Sequence, residues 1–372
     1  EFGRDRPAQR HRDQPRSFDL VVVERRRSGV AVDPTDIRAR LFVAAFGSSE
    51  RAAAAMHELR SVTAVGDLPG RLVAPLFHRA DELGLDVDER ATTRKASLEV
   101  WSANHRVIER ARELGTALAA EGVAPVAIKG IGLIGEGLSL DRRPIGDIDL
   151  LVPVSDLVVT ARVLADHGHR VDYEPGRVAL AQRHAVVAPA VDGIWVDLHW
   201  RASGGLPVWA TRRFGDAPWP TDRSTPVPPD HPLYGTGWRV PAPFDHVALL
   251  AVHGCRPSNR RAVHLMADAH LLMAAVSADD GRRIRRALDE VGHAARGCRW
   301  LQEVADRFGT VLPDEVCTGG WRPAECLAER LERFAAAHTR SSGAGGAALA
   351  ASVIAGEAAL TLTRPWWFPG RV

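Results

Sequence analysis

Apolar positions along this chain switch between two periods, and the switch divides it into regions. From residue 35 to about 121 the spacing is helical. Ile37–Phe46, Ser49–Leu59 and Arg71–Leu83 repeat their apolar residues every three or four positions. A longer helix is predicted over Asp88–Glu121, with Leu98, Trp101, His105, Ile108, Ala111 and Leu114 along one stripe and Gly122 in the place a helix C-terminus favours. From 122 to 201 the pattern becomes strand-like. Ala124–Ile128 reads as a buried strand running into a turn at Lys129-Gly130, and Ile145–Val152 as a second strand. Ser155 is predicted to cap a helix through Ala165, and Arg170–Tyr173 is a third strand candidate. Ala185–Val191 and Ile194–Trp200 flank Asp192-Gly193 as a hairpin around a type I′ turn, with Pro189 marking an edge strand.

Residues 202–241 are rich in Pro, Gly and Trp and are read as a connector, and 242–372 return to a helical pattern. Within that last region Ser341–Gly346 is expected to break the chain before a final helix, with Trp366, Trp367 and Phe368 tying down the end. Residues 1–34 read as an Arg-rich disordered tail, although Phe18–Val23 has strand character. The fold class expected is α+β: a compact mixed-sheet core flanked by N-terminal and C-terminal helical regions.

Composition narrows this little. The 372 residues are 45% apolar and 25% charged, as in ordinary globular proteins, with a formal net charge of +2 that marks no nucleic-acid partner. No apolar run approaches the roughly 20 residues of a membrane span, and the N-terminal stretch has no secretory apolar segment. Cys255, Cys298, Cys317 and Cys326 lack C-x-x-C spacing and are expected as reduced thiols of a cytoplasmic protein without membrane contact.

The chemistry is concentrated in the strand-like region. In Gly146-Asp147-Ile148-Asp149-Leu150-Leu151-Val152 the strand period puts Asp147 and Asp149 on one face and Ile148, Leu150 and Val152 on the other. Two carboxylates side by side repel and lose hydration unless a cation lies between them, and hard divalent ions such as Mg2+ or Mn2+ suit oxygen ligands. In Val196-Asp197-Leu198-His199-Trp200, Asp197 and His199 share a face opposite Val196, Leu198 and Trp200. If the two strands are neighbours, Asp197 completes a carboxylate triad that is both catalytic and metal-binding. Lys129 and Gly130 offer a point charge and a close backbone approach for phosphates, and Arg143 offers a clamp for a triphosphate or a counter-charge for the acids. His199 is read as a packing residue, or one that supports a ligand without binding metal itself, the histidines at 246, 253, 264 and 270 as core or surface residues, and Asp268 as a helix cap or bridge. A second D-x-D, Asp86-Val87-Asp88, is read instead as helix N-terminal acids.

Together Lys129-Gly130, Arg143, Asp147 to Val152 and Val196 to Arg201 resemble the uncharacterised bacterial nucleotidyltransferases of the DNA-polymerase-β-like superfamily. Asp245-His246, His253-Gly254 and Asp268 resemble the helical segment C-terminal to the core in that family, and the likeness covers roughly residues 100 to 275. It departs in two places: Lys129-Gly130 stands where the superfamily has Gly-Ser, and Leu138 and Leu140 stand where an aromatic residue precedes the Arg. The implied activity moves a nucleoside monophosphate from a nucleoside triphosphate, ATP by default, to an acceptor hydroxyl with release of pyrophosphate. The acceptor is left open among small molecule, peptide, protein and RNA. Two rival readings remain: a D-x-D glycosyltransferase using a nucleotide sugar, disfavoured by the helical hundred residues before the motif, and a degenerate nucleotide-binding protein.

Overall fold

The computed structural model describes residues 34–134, 138–171, 184–188, 192–200, 223–255, 262–274, 276–290 and 293–317. It is an α+β fold. Residues 1–33 of the expected tail, Pro189 of the hairpin arm, Trp209 and Trp219 of the connector, and the final helix with its Trp-Trp-Phe end lie outside those residues.

The N-terminal helices are α1 (Pro34–Phe46), α2 (Ser49–Val62), the short α3 (Gly70–Val73) with a 3-10 turn after it, and α4 (Val87–Ala120). Helix α4 starts at a capping box: Asp86 accepts from the Glu89 N–H and the Glu89 carboxylate accepts from the Asp86 N–H. The upstream D-x-D therefore serves the helix start, as its sequence implied. Gly122, at φ 78°, lets the chain leave the helix in the left-handed conformation.

Seven short strands follow: β1 (Val126–Ala127), β2 (Asp147–Leu151), β3 (Arg170–Val171), β4 (His184–Ala188), β5 (Trp195–His199), β6 (Thr225–Pro226) and β7 (Arg239–Val240). Their order in the sheet is β3-β4-β5-β2-β1-β7-β6. Among the described strands β2–β5 and β1–β7 pair in parallel and the other pairs are antiparallel. Strands β6 and β7 come from the stretch read as a connector, and Trp238 there donates its indole N–H to the Ala111 carbonyl of α4. The β4–β5 hairpin is present, and ahead of β5 the Asp192 carboxylate accepts the Ile194 N–H at 3.0 Å. Ser155 caps no helix: a 3-10 turn intervenes and α6 (Leu157–Asp166) starts after Asp156.

Helices α7 (Pro243–Gly254), α8 (Val263–Met273), α9 (Ala278–Glu290), α10 (Ala294–Phe308) and α11 (Asp314–Cys317) complete the described chain. They share one hydrophobic core with α1, α2, α3 and the first half of α4. The second half of α4 and α6 cover one face of the sheet in a second core holding Ile148, Leu150, Val152, Val196, Leu198 and Trp200. The sheet's other face meets α7, where Leu249 packs on Val126, Ile128 and Leu151. Cys298 and Cys317, expected as thiols, are joined in a disulfide between α10 and α11. No helix among the described residues is long and apolar enough to cross a membrane.

The stripe expected on α4 is partly wrong. Leu98 and Trp101 are exposed, and the buried line runs through Ala96, Ser97, Val100, Asn104, Val107 and Ile108. Two of those positions are polar because the helix holds a loop there, which apolar periodicity does not register.

Candidate metal and nucleotide site

The site forms on the sheet face turned toward α7. Strands β2 and β5 run parallel with Asp147 opposite Trp195, Asp149 opposite Asp197 and Leu151 opposite His199. Because side chains alternate, this register sends Asp147, Asp149, Asp197 and His199 out of one face while their neighbours fill the core. Ligand atoms of Asp149, Asp197 and His199 all lie within 4.8 Å of one another. Asp147 is not one of those three but sits two positions from Asp149 on the same face, close enough for its charge to act on the group.

Lys129 enters from the neighbouring strand. The Ile128 N–H donates to the Asp149 carbonyl, and the chain then turns into the four-residue helix α5 (Lys129–Gly132). Lys129 takes φ 54°, a left-handed conformation that costs an L-residue energy. Its backbone N–H donates to His246 Nε2 at 2.9 Å, and its ammonium donates to Asp149 Oδ1 at 2.5 Å. His199 Nε2 contacts the same oxygen at 3.1 Å, and the His199 ring meets His253 edge-on at 5.7 Å. Gly132 is obligatory: a Cβ there would lie 2.5 Å from the Ala127 carbonyl oxygen and 3.2 Å from the His246 ring.

Arg143 acts on Asp147 by its charge, while its hydrogen bond goes elsewhere. It is buried and donates to Asp268 of α8 at 2.9 Å, while its Nη1 lies against Gly130, 3.0 Å from where a Cβ would stand. The loop bearing it is held by Asn104 of α4. The Asn104 amide donates to the carbonyls of Leu140 and Arg143 at 2.6 and 2.7 Å, and its oxygen accepts the Ile145 N–H at 2.8 Å. Ser97 adds a longer bond to Asp141.

Charge in the site is unevenly shared. Burial alone would raise the Asp149 carboxyl, but the Lys129 charge and the hydrogen bond from His199 hold it far below the usual range. Asp147 moves the other way, raised by burial and by the carboxylates of Asp149 and Asp197. Burial works against the Lys129 ammonium, yet Asp149 and Asp197 keep its pKa above normal. His199 is lowered by burial and then by Lys129, against the opposing pull of Asp149 and Asp197. Burial lowers His246 to about 4 and raises Asp268 to about 6.

A divalent ion fits this donor set. The crowding of three acids falls on Asp147, and two carboxylates and an imidazole have ligand atoms within 4.8 Å of one another. Asp149, Asp197 and His199 would hold it, with Asp147 adding charge from the edge.

Of the residues expected from sequence, Asp149, Asp197 and Lys129 are in mutual reach, Asp147 and Gly130 border them, and Arg143 lies behind Gly130 in its own ion pair. His199 supports Asp149 and Asp268 bridges α8 to the loop bearing Arg143, as their sequence setting suggested, whereas the roles of His246 on the Lys129 N–H and of Asn104 on that loop were not read from sequence. Their signal was that polar residues interrupt otherwise apolar strands and helices at core positions.

A model of the family described as "Uncharacterised nucleotidyltransferase" matches residues 70–303, more than half of the chain. The chain therefore belongs to that nucleotidyltransferase family. No curated protein matches it.

Proposed function

We propose that the protein transfers a nucleoside monophosphate from a nucleoside triphosphate, ATP by default, to an acceptor hydroxyl or similar group, releasing pyrophosphate. The observation that carries this reading is the pairing of Asp149 with Asp197 in register on parallel strands, with Lys129 closing the cluster. Asp147, Asp149 and Asp197 form the catalytic and metal-binding triad, joined by His199. Lys129, Gly130 and Arg143 form the phosphate side. A bound divalent cation, magnesium or manganese, supplies charge neutralisation at the phosphates and lowers the pKa of the acceptor hydroxyl.

The chain's own groups then have distinct tasks. Lys129 presents a point charge to phosphate oxygens. Arg143, fixed by Asp268, adds positive potential behind Gly130, whose missing side chain leaves room for the guanidinium to pack there. Asp197, the less buried of the facing pair, accepts the acceptor's proton. The new P–O bond forms at the α-phosphorus as the bond to the β-phosphate oxygen breaks, and both bonding electrons leave with pyrophosphate.

The test is thermal stability with each nucleoside triphosphate, with and without magnesium, on wild type and Asp197→Asn. A ligand at a hundred times its Kd stabilises by about 2.7 kcal/mol. A magnesium-dependent rise with one triphosphate, lost in the variant, is the expected result. A rise with nucleotide sugars alone would replace this reading with the glycosyltransferase. Silence with both would point to a degenerate protein.

A further inference from the structure

The ammonium of Lys129 stands on the oxygen that a metal at this site would need. Asp149 Oδ1 receives Lys129 Nζ at 2.5 Å and His199 Nε2 at 3.1 Å, and Asp149 is 3% exposed, so little room is left on that side of the carboxylate. Taking the proposed metal site as given, we propose that Lys129 is a resident counter-cation, competing with divalent metal for Asp149 until a triphosphate draws it away, so that metal and triphosphate bind as a coupled pair.

Three features carry this. The backbone of Lys129 is held independently of its side chain: its N–H is anchored on His246 and Gly132 admits the tight turn into α5. The ammonium can therefore leave Asp149 without the turn coming apart, on a flexible four-carbon stem that pivots from a fixed point. Second, the left-handed φ of 54° at a lysine is a cost that glycine would avoid. A lysine placed there at that cost, with its charge inside a cluster of acids, fits a task for the charge itself. Third, a buried carboxylate that loses its cation is strongly disfavoured. Lys129 supplies that cation while the site is empty of substrate, and a triphosphate offers it an equally strong anionic partner. Linkage then makes the effect reciprocal: whatever factor triphosphate adds to metal affinity, metal adds to triphosphate affinity.

The experiment titrates Mn2+ alone, read by the electron paramagnetic resonance of the free ion, into wild type, Lys129→Gln and Lys129→Arg. The proposal expects Lys129→Gln to bind Mn2+ about tenfold or more tightly than wild type, and Lys129→Arg, which keeps the charge, to stay near wild type. Equal or weaker binding by Lys129→Gln would overturn it while leaving the metal site itself in place. Absence of Mn2+ binding in all three would overturn both this inference and the metal-dependent reading beneath it. Should Lys129→Gln fail to fold unaided, recovery of its circular dichroism melt by Mn2+, and not by sodium chloride at equal ionic strength, supports the proposal. Failure of that recovery overturns it.

Discussion

Asp149 and Asp197 stand directly opposite each other on the parallel strands β2 and β5, and their carboxylates leave the same face of the sheet. Direct opposition of like charges is unfavourable in a sheet. The pair is retained here with Lys129 and His199 gathered on Asp149, while Asp147 carries the surplus repulsion. The acids of the triad should therefore answer differently to the same change.

Asp147→Asn removes a carboxylate that burial and two neighbours disfavour. In chelator the variant should be as stable as wild type or more so, by on the order of 1 kcal/mol. Asp149→Asn leaves the Lys129 ammonium buried without its partner and should lose about 3–5 kcal/mol. Both should lower nucleotidyl transfer by about a hundredfold or more. Urea denaturation in EDTA and transfer from α-labelled triphosphate measure the two effects. An Asp149→Asn protein as stable as wild type would contradict the charge balance described.

How much of this was legible in the sequence depends on which period carried it. Asp147, Asp149 and Asp197 were readable because a strand alternates every second residue, so acids between apolar neighbours declare a face. The parallel pairing that makes Asp149 meet Asp197 was not readable, since register depends on the crossover between the strands. On α4 the same habit of following apolar residues misplaced the buried face. Leu98 and Trp101 are exposed, whereas Ser97 and Asn104 are buried through hydrogen bonds to a loop some forty residues away in sequence. The strands at Thr225–Pro226 and Arg239–Val240 were hidden for a related reason: two-residue strands carry no period at all.

Asn104 satisfies two carbonyls and one N–H of the loop leading into β2, with the bonds to Arg143 and Ile145 buried and that to Leu140 partly so. Asn104→Ala should cost about 2–4 kcal/mol, because its partners stay buried without replacement. Hydrogen exchange offers a sharper check than the melt: the Ile145 amide should lose protection by more than the strand amides do. Uniform loss across the domain would mean that Asn104 serves the core in general rather than this loop.

Arg143 and Asp268 form a buried ion pair linking the same loop to α8. Either Arg143→Met or Asp268→Leu alone should destabilise by about 3–5 kcal/mol, and the double substitution should recover most of that loss. The double variant then separates two roles of Arg143. Stability restored with weakened triphosphate binding would assign it to the phosphates, whereas full affinity would leave it purely structural.

Asp86→Asn provides the matched negative. Asn is as good an N-cap as Asp, and Asp86 belongs to the capping box of α4 rather than to the triad. Transfer activity should be unchanged and stability should move by a few tenths of a kcal/mol. A large loss of turnover there would show that the wrong D-x-D had been assigned to the metal.

His246 allows a prediction with a definite sign in pH. Its ring accepts the Lys129 N–H, and burial lowers its pKa from 6.5 to about 4. Above pH 6.5 the ring is neutral in both folded and unfolded chains, and its contribution to stability is fully present. As pH falls from 6.5 toward 4 the unfolded chain takes up a proton that the folded one refuses, and about 3 kcal/mol is lost across that window. Asp268 acts in the opposite direction over part of the same range, because burial raises it to about 6 and the folded state gains by protonating it. The net curve of wild type is therefore less informative than a difference. His246→Gln keeps a carbonyl able to accept the Lys129 N–H but cannot titrate. It should be less stable than wild type at pH 7.5, and the gap between their melting temperatures should close as the pH is lowered to 5. Parallel curves over that range would mean that His246 stays neutral in the unfolded chain too, or that its ring is already charged in the fold and the hydrogen bond from Lys129 is absent.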